Sequence, residues 1–342
     1  MDHRDEYDII RTACNVLIVL HHSSFAGMIL TGGAWFPVVL LRDVAWTLPT
    51  FFLLSGYLMF CGMSLNTWRG KIVRRMKRLM IPFFVWNAIF VVCFIGIRYL
   101  VPSAASAFDG GADKTPIWFL SKIFGFSIQT GDPPLWYLRT LMLYALLAPL
   151  LLVLFRKRIM VLILLLCLLL FAIVVDSTAL DGRLKILIPP YSLICFSVGA
   201  YMASCRLELH KVLSKYRIAL LMVGLCGYIM RLSPVDKYCP DIIYCLQAWF
   251  WPALIMCCIG LFRRLCIKHL IKASFFVYAA HIMFRPIWAK FWCSIDSQWG
   301  QDVLAFPIVC EFFITIGMCV GLYYTLRRIS PFIVSVLNGD YK

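Results

Sequence analysis

Apolar residues fall in blocks of about twenty along most of this chain, parted by short clusters of charge, and no block shows the two-residue alternation of a membrane barrel strand. A hydrocarbon core about 30 Å thick takes about 20 residues of helix. The pattern predicts ten helices, over 9–30, 44–63, 80–100, 135–154, 159–176, 186–205, 216–232, 242–262, 270–290 and 303–326. Helix is the expected form because a lipid-buried segment must satisfy its own backbone N–H and C=O groups. The expected fold is therefore all-α: a polytopic transmembrane helical bundle of about ten helices, forming one domain over 1–342 with no appended soluble domain. The longest connection, 101–134, is rich in Gly and Pro; within it Ile117 to Ile128 is apolar enough to lie along the interface, with Trp118 and Phe119 at headgroup level.

Composition agrees with this pattern. The chain is 62% hydrophobic and 15% charged, with mean hydropathy +0.84, against roughly 25% charge in a soluble domain. The first block is expected to be retained, since Asp2, Asp5, Glu6 and Asp8 make its leading segment acidic and no small-residue cleavage site follows. A formal net charge of +16 suggests nucleic acid until its placement is considered. If the N-terminus is cytoplasmic, the inner connections hold Arg69, Lys71, Arg74, Arg75, Lys77 and Arg78, then Arg156 to Arg158, and further clusters near 206–217, 263–272 and 327–342. Connections on the other side hold about half as many cations. This positive-inside bias predicts cytoplasmic termini, an outer 101–134 loop, contact with anionic lipid and no nucleic-acid partner. Most of the 15 cysteines sit inside apolar blocks, where Cys behaves as a small hydrophobe; neither a disulfide framework nor a metal site is expected.

Against this background, polar residues at membrane depth stand out. Asp8, Arg11, Asn15 and His22 share one face of the first helix, at spacings of three, four and seven. Arg11 and His22 lie roughly 16 Å apart along it, a separation that an extended pantetheine-like arm would span with phosphates at the cation. The bland alternative leaves Arg11 snorkelling to headgroups and His22 bonded to a neighbouring helix; for the aligned set, function is the favoured reading. His21 points about 100° away and reads as structural. The ninth helix repeats the arrangement with Ser274, Tyr278, His281 and Arg285, where an interhelical hydrogen bond explains the pattern equally well. Asp43, Arg139 and Glu311 are further charges at depth or at the interface. Asp43 or Glu311 is a candidate to orient His22, as a carboxylate does for a general base. Lys71, Arg74, Arg75 and Arg78 place much of their charge on one helical face, suited to the phosphates of coenzyme A or to lipid headgroups.

These segments together resemble acyltransferase family 3, the membrane polysaccharide O-acetyltransferase group. YDIIRTACNVLIVLHH is similar to the family's opening, with Asp8, Arg11 and His22 at its spacing. PTFFLLSGYLMF looks like the Phe-rich stretch ending in Ser-Gly, here Ser55 and Gly56. KIVRRMKRLMIPFFVW resembles the basic run before a proline, with Arg75, Arg78 and Pro82 in place; PPLWYLRTL and SFFVYAAH resemble the later Trp-Tyr-Leu and Tyr-x-x-His signatures. Five such segments in order cover the first helix to the ninth.

The resemblance implies a multi-pass protein of the bacterial inner membrane that moves an acyl group, usually acetyl, from cytoplasmic acyl-CoA to a hydroxyl of a glycan or similar acceptor. No permanently bound cofactor is implied; acyl-CoA is a co-substrate. His22 would act as general base, with an acyl-histidine as the lesser alternative. Arg11, Lys71, Arg74, Arg75 and Arg78 would hold the coenzyme A phosphates, and Asp43 or Glu311 would support the base. Asn15, Ser55, Arg139, Tyr278 and His281 would bind the acceptor or support the site. A homodimer stays open. The rival from another class is a proton-coupled secondary transporter or flippase, which buried His, Arg and Glu would also serve.

Overall fold

The computed structural model describes residues 4–31, 46–100, 115–126, 130–177, 188–264, 268–284, 288 and 305–340. Among these residues every regular element is helical. In chain order they are α1 (Arg4–Thr31), α2 (Leu48–Phe60), α3 (Trp68–Leu100), α4 (Pro116–Phe124), α5 (Trp136–Leu154), α6 (Arg158–Ser177) and α7 (Pro190–Ser204). There follow α8 (Leu209–Arg231), α9 (Pro240–Gln247), α10 (Phe250–Cys257), α11 (Ile259–Arg264), α12 (Lys268–Ala280), α13 (Ala305–Ile329) and α14 (Pro331–Asn338). By length and composition three stretches are long and apolar enough to cross a bilayer: Trp68–Cys93, Pro133–Leu154 and Leu209–Arg231. Leu48–Phe60 and Arg158–Val174 are shorter apolar helices. The outward face of α6 carries exposed Leu162, Leu166, Leu170 and Ile173, a surface suited to lipid tails. The chain is an all-α membrane protein.

The helices differ from the hydropathy blocks in several places, among them an earlier start of α1 at Arg4 and of α8 at Leu209. The basic run forms the opening turns of α3, which begins at Trp68, and Arg74 Nε donates back to the Gly70 carbonyl at 3.2 Å. The predicted helix 242–262 is broken into α9, α10 and α11. Pro252 has no N–H for the carbonyl of Ala248, four residues earlier; Thr50 Oγ1 donates to that oxygen instead at 2.8 Å. The predicted helix 270–290 ends as α-helix at Ala280 and tightens into a 3₁₀ turn over His281–Phe284. Beyond the last predicted block lies α14, capped at its start by Ser330 Oγ, which accepts from Ile333 N.

The described residues form two compact units, each drawn from separate parts of the chain: one from 1–14, 47–77 and 140–271, the other from 15–46, 78–139 and 272–342. In the first, α2 and α7 cross with their backbones in contact. A Cβ on Gly56 would overlap the Phe196 carbonyl, and one on Gly199 would overlap the Leu53 carbonyl. Small residues at such a crossing let two apolar helices approach closely where lipid supplies no hydrophobic drive between them. Tyr57 and Tyr7 use their hydroxyls to receive the N–H groups of Leu209 and His210 at the start of α8, both at 3.1 Å.

In the second unit, α3 is held against α12 and α14 around Trp86. Its ring lies 5.1 Å from that of Phe276, and its Nε1 donates to the Leu337 carbonyl at 3.0 Å. Pro82, inside α3, deprives the Arg78 carbonyl of its usual partner. Gly339 lies directly on that carbonyl, with φ +71°, so a side chain there would meet both backbone strain and the Arg78 oxygen.

Candidate active site

The second half of α1 lies beside α12 within the second unit. Asn15 Nδ2 donates to Ser274 Oγ at 2.6 Å and to the Ser274 carbonyl at 3.3 Å. Seven residues further along each segment, at His22 in α1 and at His281 in the 3₁₀ turn that follows α12, the two rings lie 5.1 Å apart at 40°. Equal offsets in the same chain direction mean that the two segments run parallel, with their polar stripes facing each other. The stripes on the first and ninth predicted helices are thus two sides of one feature.

His22 and His281 open into a recess of about 220 Å³, counting its mouth, lined also by Val19, Ser23, Ile282, Trp288, Glu311 and Thr315. Glu311 reaches it from α13 and is buried, with 3% of its surface exposed. The site therefore holds two imidazoles and a carboxyl in one small recess, two of the three buried, where fixed charges and dipoles act more strongly than in water. Ser23 Oγ donates to the Val19 carbonyl at 2.9 Å, and Trp288 Nε1 donates to Thr315 Oγ1 at 2.9 Å. His21 stands behind His22, edge-on to it at 5.1 Å, and packs on Trp46 at 4.9 Å.

His281 is held in a defined tautomer. Its Nδ1 lies 2.7 Å from the Tyr278 carbonyl oxygen. A carbonyl only accepts, so Nδ1 carries the proton and, in the neutral ring, Nε2 carries the lone pair. The Tyr278 hydroxyl donates to the Pro134 carbonyl at 2.5 Å, tying α12 to the turn that leads into α5.

Other expected residues fall elsewhere. Asp43 lies outside the described residues, as does Arg285. Arg139 is buried and donates from NH1 to the Gly125 carbonyl at 3.2 Å, at the C-terminal end of α4, where a cation also complements the helix dipole. Ser55 is buried in α2 beside the Gly56 crossing and is not among the residues lining the recess. Arg11 is half exposed and 3.6 Å from Asp8. On α3, Arg74 and Arg78 are exposed and Arg75 is half-buried, whereas the Lys71 ammonium donates to the Cys61 carbonyl at the end of α2.

With this geometry in view, comparison with known proteins assigns the family. A family model described as an acyltransferase domain matches residues 4–327. The chain belongs to that acyltransferase family. It is also 26% identical over 320 residues to the succinoglycan biosynthesis protein ExoH of Rhizobium meliloti (strain 1021), covering 85% of this chain and 78% of the relative. No solved structure matches.

One residue of the acyltransferase escaped the sequence reading. Asp132, immediately before the Pro133–Leu154 span, is 1% exposed, and neither carboxyl oxygen has a hydrogen-bond partner among the described residues. Its backbone is pinned, with N donating to Asn87 Oδ1 at 2.8 Å and the carbonyl accepting from Thr130 Oγ1 at 2.6 Å. Gly-Asp-Pro-Pro reads in sequence as a solvated turn, so nothing in the string signals burial. Burial pushes this carboxyl well above the ordinary carboxylate range. Between the unfolded value and that raised value the folded state holds a proton that the unfolded chain has released, so Asp132 lowers stability as pH rises through the window. Asp132→Asn is expected to raise the Tm in detergent at neutral pH, with the gain shrinking as pH falls towards about 4; a pH-independent change in Tm would contradict the linkage.

Proposed function

We propose that this acyltransferase moves an acyl group, most simply acetyl, from acyl-CoA to a hydroxyl of a polysaccharide or its precursor, with His22 as general base. The observation that carries the reading is the meeting of His22, His281 and Glu311 in one recess of a chain that belongs to an acyltransferase family. The name of the succinoglycan biosynthesis relative supports a glycan acceptor.

In this reading, His22 takes the proton of the acceptor hydroxyl as its oxygen attacks the thioester carbon. The carbonyl electron pair moves to oxygen, giving a tetrahedral oxyanion. Its collapse breaks the C–S bond, and the departing thiolate takes the proton from the imidazolium. Glu311, on the same recess, stabilises the protonated ring by its negative charge. Arg11 and the basic face at Lys71, Arg74, Arg75 and Arg78 supply cations for the donor's phosphates, Lys71 only by giving up its carbonyl partner. Asn15 and Tyr278 act on the site indirectly, by fixing α1 and the turn before α5 against α12. Arg139 and Ser55 are proposed as supports of the local helix packing. We further propose about ten membrane crossings in a bacterial inner membrane, with both termini cytoplasmic.

The test uses purified full-length protein in detergent with acetyl-CoA, following release of free thiol with and without candidate glycans. Glycan-dependent thiol release with a matching acetylated product is the expected result. Absence of acyl-CoA binding and of turnover across a broad acceptor panel would overturn the reading.

A further inference from the structure

The lone pair on His281 Nε2 is a polar feature of the recess that base catalysis by His22 leaves unused. The nitrogen is buried, on a residue 3% exposed, and has no hydrogen-bond partner among the described residues. Its tautomer is fixed from the far side of the ring by the Tyr278 carbonyl. Two of the donors on the recess wall have other partners: Ser23 Oγ gives its proton to the Val19 carbonyl, and Trp288 gives its N–H to Thr315. A buried acceptor left without a donor is costly, and this one lines the same recess as His22.

We propose that His281 recognises a second hydroxyl of the acceptor, adjacent to the one that is acylated, so that the substrate is a vicinal diol of a sugar or polyol and not a simple alcohol. The proposal rests on the transferase reading given above and adds the substrate feature that the recess selects. The reacting hydroxyl has one proton, and His22 removes it. His281 Nε2 accepts from a different O–H, and a hydroxyl on the neighbouring carbon supplies one at the short range that two rings 5.1 Å apart can bridge. That bond exists before, during and after acyl transfer, so it fixes which hydroxyl faces His22 without entering the chemistry. His281 is thus a specificity-determining residue, and an acceptor lacking the second hydroxyl leaves a buried nitrogen unpaired. Sites built to hydrogen-bond a substrate hydroxyl reject the analogue lacking it far more strongly than apolar pockets reject an extra group.

The test compares kcat/KM for acetyl transfer to methyl glycosides and to monodeoxy analogues lacking the hydroxyl beside the acylated position. The wild-type protein is expected to disfavour the deoxy analogue by about 10- to 100-fold. His281→Phe removes the acceptor nitrogen, so the ratio of its kcat/KM values for the two compounds should fall to within about twofold. His281→Gln, whose amide oxygen accepts a hydrogen bond, should keep part of the preference, which a purely structural role for the ring would not produce. Equal discrimination by wild type and His281→Phe, or indifference of the wild type to the missing hydroxyl, would overturn the proposal. Failure of the wild type to release thiol with any glycoside would instead strike the transferase reading on which it depends.

Discussion

His22→Ala is expected to lower acyl transfer by at least about 10²- to 10⁴-fold, the usual contribution of a positioned general base, while the protein still folds and inserts. The ring is half-buried at the wall of a recess, so its loss enlarges a space that already exists and opens no new cavity in packed core. The Asn15–Ser274 bond, seven residues away on the same face, continues to hold α1 to α12. Thiol release measured beside size-exclusion behaviour and Tm separates the two effects. Near-normal turnover in a folded variant would remove His22 from the mechanism. Glu311→Gln tests the same site from α13: it keeps the shape and deletes the carboxylate proposed to stabilise the imidazolium, so turnover should fall while donor binding stays.

The largest stability effect is expected at the crossing of α2 and α7. Gly56→Ala places a Cβ against the Phe196 carbonyl, with the carbonyl carbon at 2.9 Å and the Ala200 nitrogen at 3.1 Å. The obstructing atoms are backbone, so neither a rotamer change nor a flexible side chain relieves the clash. A cost of about 1–3 kcal/mol is expected for Ala, and Gly56→Leu should leave little folded protein. Gly199→Ala meets the Leu53 carbonyl in the same contact, so both substitutions push the helices apart along one direction. Their effects should therefore be less than additive, since the first separation accommodates much of the second. Thermal unfolding of the two single variants and the double variant measures this; strict additivity would mean that the two sites relax independently.

Periodicity along the chain records which residues share a helical face, and not what that face meets. The stripes Asn15–His22 and Ser274–His281 were legible because a seven-residue interval keeps a helical face, and the two faces meet. The carboxylate was less legible: Glu311 and Asp43 were equal candidates on the sequence, Asp43 lies outside the described residues, and Glu311 lines the recess because α13 delivers it there, a matter of tertiary packing. Gly56 was noticed as half of a Ser-Gly motif, and the structure gives its glycine a packing reason that only the partner helix reveals. Hydropathy passed over Pro252, because an averaged window does not register a missing N–H, and it could not foresee that Thr50 would satisfy the freed carbonyl of Ala248. Asp132 was invisible for the converse reason, since its turn chemistry is that of an exposed loop while its surroundings are a protein interior.

The unit that holds the recess is joined by bonds between distant parts of the chain, Asn15 to Ser274 across 259 residues and Trp86 to Leu337 across 251. On a ribosome adding about 5–20 residues per second, Ser274 follows Asn15 by roughly 13 to 52 s. Through that interval Asn15 lacks its final partner, and Trp86 likewise waits for Leu337. The polar face of α1 therefore waits for the last quarter of the chain to receive its final partners, and translation that stalls before α12 leaves a chain with His22 made and no recess around it.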